Sequence, residues 1–221
     1  MKNLLTSAFT ALLLGSLLIL DSCKKKDPEP TLSAKIQQIV PTDLLDKMKA
    51  QGMPINEGLT PPNIEGIFVS SPHTVVSTFT GDVYKAGDSF VDFVLMFSNQ
   101  NSKDLTVTID TKSGGTTATG IGGFLAGSGN KFSLFAELTI SGGGATGKQI
   151  RVFSGEITPN GIKDFYTTLV FKEKNDPANY FLNVGEMRVI KDGDGLASKR
   201  STFRISAENI ANTILKSDDN Q

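Results

Sequence analysis

Hydrophobic and polar residues alternate along much of the chain after residue 64. Every second residue from Phe132 to Ile140 is apolar, and a shorter run of the same kind extends from Leu105 to Ile109. When apolar residues recur at every second position, one set of side chains lies on the buried face of a strand and the other set lies on the face exposed to water. Further strands are predicted near 74–80, 117–126, 148–158, 162–173, 180–190 and 200–206.

Residues 90–97 predict a strand with more apolar surface than the others. Its odd-numbered positions, Val91 to Phe97, are all apolar, while the other face is mixed. This surplus over a minimal core favours a barrel interior that holds a small apolar molecule. The residues predicted to line such a ligand site are Phe68, Phe93, Leu95, Phe97, Phe132 and Leu134.

Turn signals separate the predicted strands. The segments 99–101, 127–130 and 159–161 are rich in the Gly, Asn, Ser and Pro residues that hairpin turns use. Short turns force consecutive strands to pair antiparallel, so the sequence predicts an all-β fold, an antiparallel up-and-down meander of about 8–10 strands. We favour a closed barrel because no long crossover indicates a Greek key, and a β-sandwich is the alternative.

Helical periodicity appears on both sides of the predicted strands. A short N-terminal helical segment is predicted over 32–49, interrupted by Pro41 and restarting with Thr42 as N-cap. The apolar residues between 207 and 216 predict a short closing C-terminal helix. We expect the N-terminal helix to lie over one end of the β domain, with docking to a partner as the alternative.

The chain begins like an export signal. Lys2 precedes the apolar stretch 4–20, which is slightly shorter than the roughly 20 residues of a bilayer-spanning helix. The stretch ends in Leu20-Asp21-Ser22-Cys23, which resembles the lipobox of bacterial lipoproteins, with Leu at −3 and a small residue before the cysteine. Asp21 departs from the small or apolar residue usual at its position.

The resemblance to the lipobox implies that Cys23 is acylated after the signal peptide is removed. Several acyl chains on one residue hold a protein stably at a membrane, whereas a single chain is marginal. Residues 24–30 are charged and proline-rich and contain no hydrophobic side chain, which predicts an extended tether. This segment resembles the tethers of Bacteroidetes-type lipoproteins, and the resemblance implies the outer membrane, on its periplasmic or cell-surface face.

The predicted organisation is a signal peptide (1–22), a lipidated tether (23–31), a helical lead-in (32–60) and a barrel-like domain (61–217). The run 61–66, Pro-Pro-Asn-Ile-Glu-Gly, resembles a lead-in of Bacteroidetes lipoproteins of uncharacterised function. A meander with a flanking helix is similar to the lipocalin-type barrel. Gly66-Ile67-Phe68 stands where lipocalins have Gly-x-Trp, with Phe in place of Trp.

Composition excludes several classes of function. The 22 basic and 23 acidic residues nearly cancel, and no basic stripe is present, so nucleic acid is not an expected partner. One cysteine rules out an intramolecular disulfide framework. One histidine, His73, leaves little for zinc or iron, and no cofactor is predicted.

Catalytic chemistry has few candidate residues. A Ser–His–Asp relay would need His73, which we expect in a solvent-facing turn, and no Gly-x-Ser-x-Gly elbow is present. Glycoside hydrolysis needs only two carboxylates, and Asp92, Glu137 and Glu156 all lie on predicted strands. Acidic residues on the wet face of a strand are ordinary, so we expect no enzyme and keep a hydrolase as the third hypothesis.

The loop 191–195 has the one local signal for a metal. Asp192 and Asp194 alternate with glycines, an arrangement that allows a loop to wrap around calcium. Phe203 occupies the position at which an EF-hand would have its bidentate Glu. A tight turn that uses Asp for local hydrogen bonds is therefore the preferred interpretation.

Two main hypotheses of function follow. The first is a membrane-anchored lipoprotein whose lipocalin-like domain binds a small apolar or amphipathic ligand. The second is a structural or accessory lipoprotein of an outer-membrane protein complex, without a small ligand. In both, the membrane is a partner through acylated Cys23.

Overall fold

The computed structural model describes residues 32–121 and 123–204. Two short helices precede twelve strands that belong to one antiparallel sheet. The helices are α1 (Leu32–Ile39) and α2 (Thr42–Ala50), and the strands are β1 (Gly66–Ser70), β2 (His73–Ser77), β3 (Ser89–Phe90), β4 (Phe93–Asn101), β5 (Thr106–Ser113), β6 (Thr116–Ile121), β7 (Phe124–Ser128), β8 (Lys131–Gly142), β9 (Ala145–Thr158), β10 (Gly161–Asn175), β11 (Met187–Asp192) and β12 (Leu196–Arg200). The prediction of an all-β, barrel-like fold is confirmed.

The sheet closes into a partial ring through β12. This strand pairs with β1 along one edge and with Gly161–Lys163 of β10 along the other. The ring runs through β12, β1, β4, β5, β6, β8, β9 and β10. It is partial because β10 changes partner after Lys163 and pairs with β11 from Tyr166 onward. Asp164, with φ +48°, lies in the register shift at that point, where a bulge redirects the strand.

The topology departs from a simple meander at β2 and β3. β1 pairs with β4, whereas β2 pairs with β11 and then with β3. These three strands, β11, β2 and β3, form a branch beside the ring. The chain therefore leaves the ring after Ser70 and returns to it at Phe93.

The predicted strand 180–190 is wrong over its first half. Residues 176–186 form a loop because polar side chains bind its backbone: Asp176 accepts the N–H groups of Tyr180 and Phe181, and Glu186 accepts that of Asn183. Of the segment 200–206, only Arg200 lies in a strand among the described residues. Side-chain hydrogen bonds of this kind compete with strand pairing and are invisible to periodicity.

Two of the three predicted hairpin turns are confirmed, at Gly129-Asn130 and at Pro159-Asn160. The first is wrong, since β4 extends to Asn101 and the turn follows at 102–105. Gln100 explains the difference: its amide accepts the N–H of Ile64 and donates to the carbonyl of Pro62. These bonds hold the end of β4 against residues 62–64, which precede β1.

Apolar side chains fill both sides of the sheet. The barrel interior contains a cluster rich in phenylalanine, with Phe68, Phe93, Phe97, Phe132, Phe153 and Phe165 among its members. A second cluster lies outside the barrel, where Ile36, Val40, Leu45 and Met48 of the helices pack with Phe135, Val152, Val170 and Val189. The two helices thus cover the outer wall of the barrel, and the expectation that they lie over one end is wrong.

The helical prediction itself is confirmed, with a difference at the cap. α2 begins at Thr42, but Pro41 is the N-cap and no side chain caps the helix. Among the described residues, no helix is both long and apolar enough to cross a bilayer. The predicted signal peptide, Cys23, the tether and the closing helix at 207–216 lie outside the described residues.

Candidate functional site

A cavity of about 700 Å³ opens at one end of the barrel, and we call it the end cavity. The starts of β4, β6 and β9 and the ends of β5, β8 and β10 supply its walls. Its rim consists of two loops, residues 78–88 between β2 and β3 and residues 176–186 between β10 and β11. The volume lies within the range of roughly 300–1,000 Å³ found for small-molecule sites.

Aromatic rings form the base of the end cavity. Phe93 lines the cavity and stacks on His73, with ring centroids 4.8 Å apart. The rings of Phe153 and Phe165 each lie 6.5 Å from that of Phe93 and continue the packing into the core. Stacked rings in such pairs are stabilised beyond the burial of their surface, so the aromatic packing stabilises this base.

Arg151 of β9 projects into the end cavity from its wall. The side chain is only 6% exposed, and its guanidinium lies 4.8 Å above the ring of Phe93. Its Nε atom is buried without a hydrogen-bond partner, and none of the ion pairs in the described part of the chain includes Arg151. Burial lowers the pKa of Arg151 to about 9, so it remains a cation at neutral pH.

Gln149 stands two residues before Arg151 on the same face of β9. It is fully buried, and neither its Nε2 nor its Oε1 atom has a hydrogen-bond partner among the described residues. Both residues line the end cavity. Buried polar atoms are almost always hydrogen-bonded in folded proteins, so two neighbouring unpartnered side chains in one cavity require an explanation.

His73 is buried, and the expectation of a solvent-facing turn residue is wrong. It begins β2, stacks on Phe93 and has its Nδ1 atom 2.9 Å from the hydroxyl of Ser70. Burial, helped by the charge of Arg151, lowers the pKa of His73 to about 3. The imidazole is therefore neutral and adds no charge to the cavity.

A buried ion pair organises the first rim loop. Arg188 of β11 donates two hydrogen bonds of 2.7 Å to the carboxylate of Asp82. The ring of Tyr84 lies 4.8 Å from the same guanidinium. Burial acts to raise the pKa of Asp82, but hydrogen bonds from Arg188, Thr78 and the Tyr84 backbone outweigh it and lower the pKa to about 2. Arg188 thus has its own counter-ion.

Asp176 organises the second rim loop. Besides the two backbone N–H groups it accepts, its carboxylate receives Lys174 at 3.1 Å. These bonds place Phe181 against Phe171, with ring centroids 5.1 Å apart. Tyr180 crosses toward the β8–β9 turn and packs against Gly143, where an added Cβ would lie 2.7 Å from its ring. The loop is therefore fixed across the cavity mouth.

The six residues predicted to line a ligand site share the barrel interior, but only one of them lines the end cavity. Phe93 does so, whereas the other five lie in the packed core. Those five are Phe68, Leu95, Phe97, Phe132 and Leu134.

The predicted metal residues accept backbone hydrogen bonds from their own turn and from the neighbouring residue Ser71. Asp192 accepts the N–H groups of Ser71 and Leu196, and Asp194 also accepts that of Leu196. Burial and the neighbouring Asp194 raise the pKa of Asp192 to about 6. Within residues 32–121 and 123–204, no group of three or more His, Cys, Asp or Glu side chains is arranged to hold a metal ion.

The three acids considered for hydrolysis lie in different surroundings. Glu137 forms an ion pair with Lys172, with both side chains close to half exposed. Glu156 lines a second cavity of about 460 Å³ beside α2, together with Asn56. Asp92 lies in the link between β3 and β4, so its predicted place on a strand is wrong.

Asn56 and Ser154, which line the second cavity, are hydrogen-bonded within the protein. The side-chain amide of Asn56 donates to the carbonyl of Phe132 and to the hydroxyl of Ser154. The backbone N–H of Asn56 donates to Ser133. No unpartnered buried polar side chain of the described residues lines the second cavity, whereas Gln149 and Arg151 line the end cavity, which is therefore the stronger candidate for a binding site.

Sequence reasoning missed Arg151 and Gln149, although a signal was present. In the run 149–153 the residues alternate between Gln149, Arg151 and Phe153 on one face and Ile150 and Val152 on the other. The outer face is the apolar one here, because the helices cover it. The polar face therefore points into the barrel.

Comparison of the chain with family models, with curated proteins and with solved structures gives no match. The assignment of function consequently depends on the site itself.

Proposed function

We propose that this protein is a membrane-anchored lipoprotein whose barrel binds a small amphipathic molecule in the end cavity. One observation carries the proposal: a cavity of about 700 Å³ that combines an aromatic base with buried polar groups lacking any partner in the described chain. Ligand sites are typically apolar clefts with a few convergent polar groups that orient the ligand. Phe93 and Leu169 supply apolar wall, and Gln149 and Arg151 supply the polar groups.

Anchoring at the outer membrane, through acylated Cys23, is supported by the apolar stretch, the lipobox-like residues and the charged tether. An anchor of this kind keeps the domain beside a reservoir of amphipathic molecules. The expected ligand class and the expected location are therefore consistent with each other.

Native mass spectrometry of the full-length protein, released from detergent micelles, tests the proposal. Ser113 lies at the end of β5 on the inward face and lines the end cavity, so the indole of Ser113→Trp obstructs the cavity. Thr117→Trp is the matched control, because Thr117 is exposed and neighbours the inward Ala118. We expect a co-purified small molecule on the wild type and on the control variant, and its loss from Ser113→Trp.

Two results would overturn this function. One is a bare polypeptide in every sample, with no uptake from a panel of fatty acids, sterols and haem. The other is an adduct that Ser113→Trp retains, which would place the ligand elsewhere.

A second candidate function, an accessory of an outer-membrane protein complex, is favoured by the rim loops. Val83 is 90% exposed, and Tyr180 and Val184 are more than half exposed. Exposed apolar residues on neighbouring loops are typical of surfaces that meet another protein. Cross-linking in cells would discriminate: a complex that is lost on Val83→Asp, together with a bare mass, would favour this function over ligand binding.

A further inference from the structure

We propose that the end cavity selects a ligand with a single carboxylate on an apolar body, and that Arg151 and Gln149 bind the carboxylate. This inference rests on the proposed function, because it assumes that the end cavity is the binding site. It adds the charge and the chemical class of the ligand.

The first argument is the electrostatic state of Arg151. A buried charge is destabilising unless it is paired and hydrogen-bonded. The rings of Phe93 and Phe153 attract the guanidinium, with centroid distances of 4.8 and 5.9 Å, but they offer no oxygen acceptor to its N–H groups. A carboxylate in the cavity supplies both the missing charge and the missing acceptors.

The second argument is how the charged side chains of the cavity lining are paired. Arg188 and Asp82 neutralise each other through two hydrogen bonds. Glu186 is engaged by the backbone and side chain of Asn183 at the rim. His73 is neutral, as its environment requires. The two arginines and two acids of the described lining cancel in sum, but Arg151 is the one of its two arginines without an ion-pair partner, and a carboxylate in the cavity would provide one.

The third argument is the geometry of the two polar residues. Gln149 and Arg151 are two positions apart on one strand, so their Cα atoms are separated by roughly 6.6 Å and their side chains leave the strand on the same side. A planar guanidinium matches a planar carboxylate through two parallel hydrogen bonds. The Nε2 group of Gln149 donates to the same anion, and its Oε1 atom accepts from a hydroxyl of the ligand or from water.

The fourth argument concerns the rest of the ligand. Beyond the two polar residues the lining continues with apolar side chains, including Phe90, Leu169, Phe171 and Ile190. An inorganic anion would leave this surface in contact with water, whereas an alkyl or aryl carboxylate would cover it. The cavity therefore favours an amphipathic carboxylate over a free phosphate or sulfate.

Octanoate and 1-octanol, which share an alkyl body and differ in charge, test the inference. Native mass spectrometry of the full-length protein from the same micelles gives the binding of each. We expect the wild type to prefer octanoate, and Arg151→Met to weaken octanoate binding at least about tenfold while octanol binding stays within about twofold. Arg151→Lys keeps the positive charge but lacks the planar guanidinium group that forms two parallel hydrogen bonds. This variant should bind octanoate with an affinity between those of the wild type and Arg151→Met.

Two controls separate a binding role from a structural one. Lys172→Met removes a cation from the outer surface, where Lys172 pairs with Glu137, and should not change octanoate binding. Arg151→Met should raise the midpoint of thermal unfolding of the empty protein, since it removes an unpaired buried charge. A purely structural arginine would lower that midpoint when replaced.

The outcomes distinguish the two levels of the proposal. If octanoate and octanol bind equally well and Arg151→Met changes neither, the carboxylate assignment is wrong while ligand binding in the cavity stands. If neither compound binds the wild type, the carboxylate assignment is wrong, and the proposed function is overturned as well when the protein carries no adduct and takes up nothing from the panel of fatty acids, sterols and haem.

Discussion

Arg151 and Arg188 lie in the same cavity, and their surroundings differ in one respect. Arg188 has Asp82 as a counter-ion at 2.7 Å, whereas Arg151 has aromatic rings and no carboxylate among the described residues. A buried ion pair fixes geometry, and a buried unpaired cation retains its capacity to bind an anion. Arg188 therefore belongs to the structure of the rim, and Arg151 is available to a ligand.

His73 makes the stability of the protein depend on pH in a predictable direction. Its pKa is about 3 in the folded protein, below the ordinary value of 6.5 expected in the unfolded chain. As the pH falls, His73 therefore gains its proton at a higher pH in the unfolded chain than in the folded protein. The free energy of unfolding consequently decreases as the pH falls below 6.5. Between pH 7 and pH 5 we expect His73 to lower the free energy of unfolding by about 2 kcal/mol. Urea unfolding at both pH values measures this loss.

The variant His73→Gln isolates that contribution. Burial and Asp194 raise the pKa of Asp192 to about 6, so Asp192 gains a proton in the folded state over part of the same range and acts in the opposite direction. Ser70 contacts both His73 and Asp192, and Gln can still accept a hydrogen bond from Ser70, so we expect this effect to be similar in the two proteins and to cancel largely in their difference. Equal pH dependence in the wild type and the variant would contradict a neutral, buried His73. The single histidine also allows its ring resonance to be followed by NMR.

At the scale of elements, the sequence predicted strands well where one pattern dominates. The alternation from Phe132 to Ile140 places its even-numbered residues inside the barrel, and all of them are buried there. The segment 180–186 was mispredicted because Asp176 and Glu186 bind its backbone, which no periodicity reveals. Turns at Gly129 and Pro159 followed from local residue preferences alone.

The candidate site was harder to predict than the fold, and β9 explains why. Ile150 and Val152 form an apolar face that looks like the inside of a barrel, but they pack under the helices. Gln149 and Arg151 look like a wetted face, but they line the end cavity. A strand pattern gives two faces and cannot say which one is covered by a distant element. Phe93 was predicted because both faces of its segment are rich in apolar residues.

The lead-in before β1 depends on a close backbone approach that only glycine permits. Gly58 has φ +134°, and an added Cβ would lie 2.3 Å from the carbonyl oxygen of Gly127. Its own carbonyl accepts the N–H of Gly127 at 3.0 Å. Gly58→Ala should therefore lower the free energy of unfolding by more than about 1 kcal/mol, as measured by urea unfolding.

Gly115 provides the matched position for this test. It lies in the β5–β6 turn with open space around it and without a left-handed φ, so Gly115→Ala should leave stability nearly unchanged. If the two substitutions lowered the free energy of unfolding by similar amounts, the segment around Gly58 would not be held against β7.

At the scale of the whole molecule, the barrel is packed at one end and hollow at the other. Phe68, Phe97 and Phe132 are fully buried in the core, while the end cavity occupies the opposite end. The helices thicken one wall, and the two rim loops are tied down by Asp82 and Asp176. This arrangement gives a container with a defined mouth, which is consistent with the proposed binding of a small molecule.

Photo-cross-linking tests the central claim, binding of a small molecule in the end cavity, most directly. The probe is a medium-chain alcohol with an alkyl diazirine, added to the full-length protein in micelles, and peptide mass spectrometry locates the labels. We predict labels within residues 79–93 and 169–190, the two segments that contain most of the residues lining the end cavity, and their loss when excess 1-octanol competes. Labels confined to the helical layer at 36–53, or labels that octanol does not displace, would contradict the account.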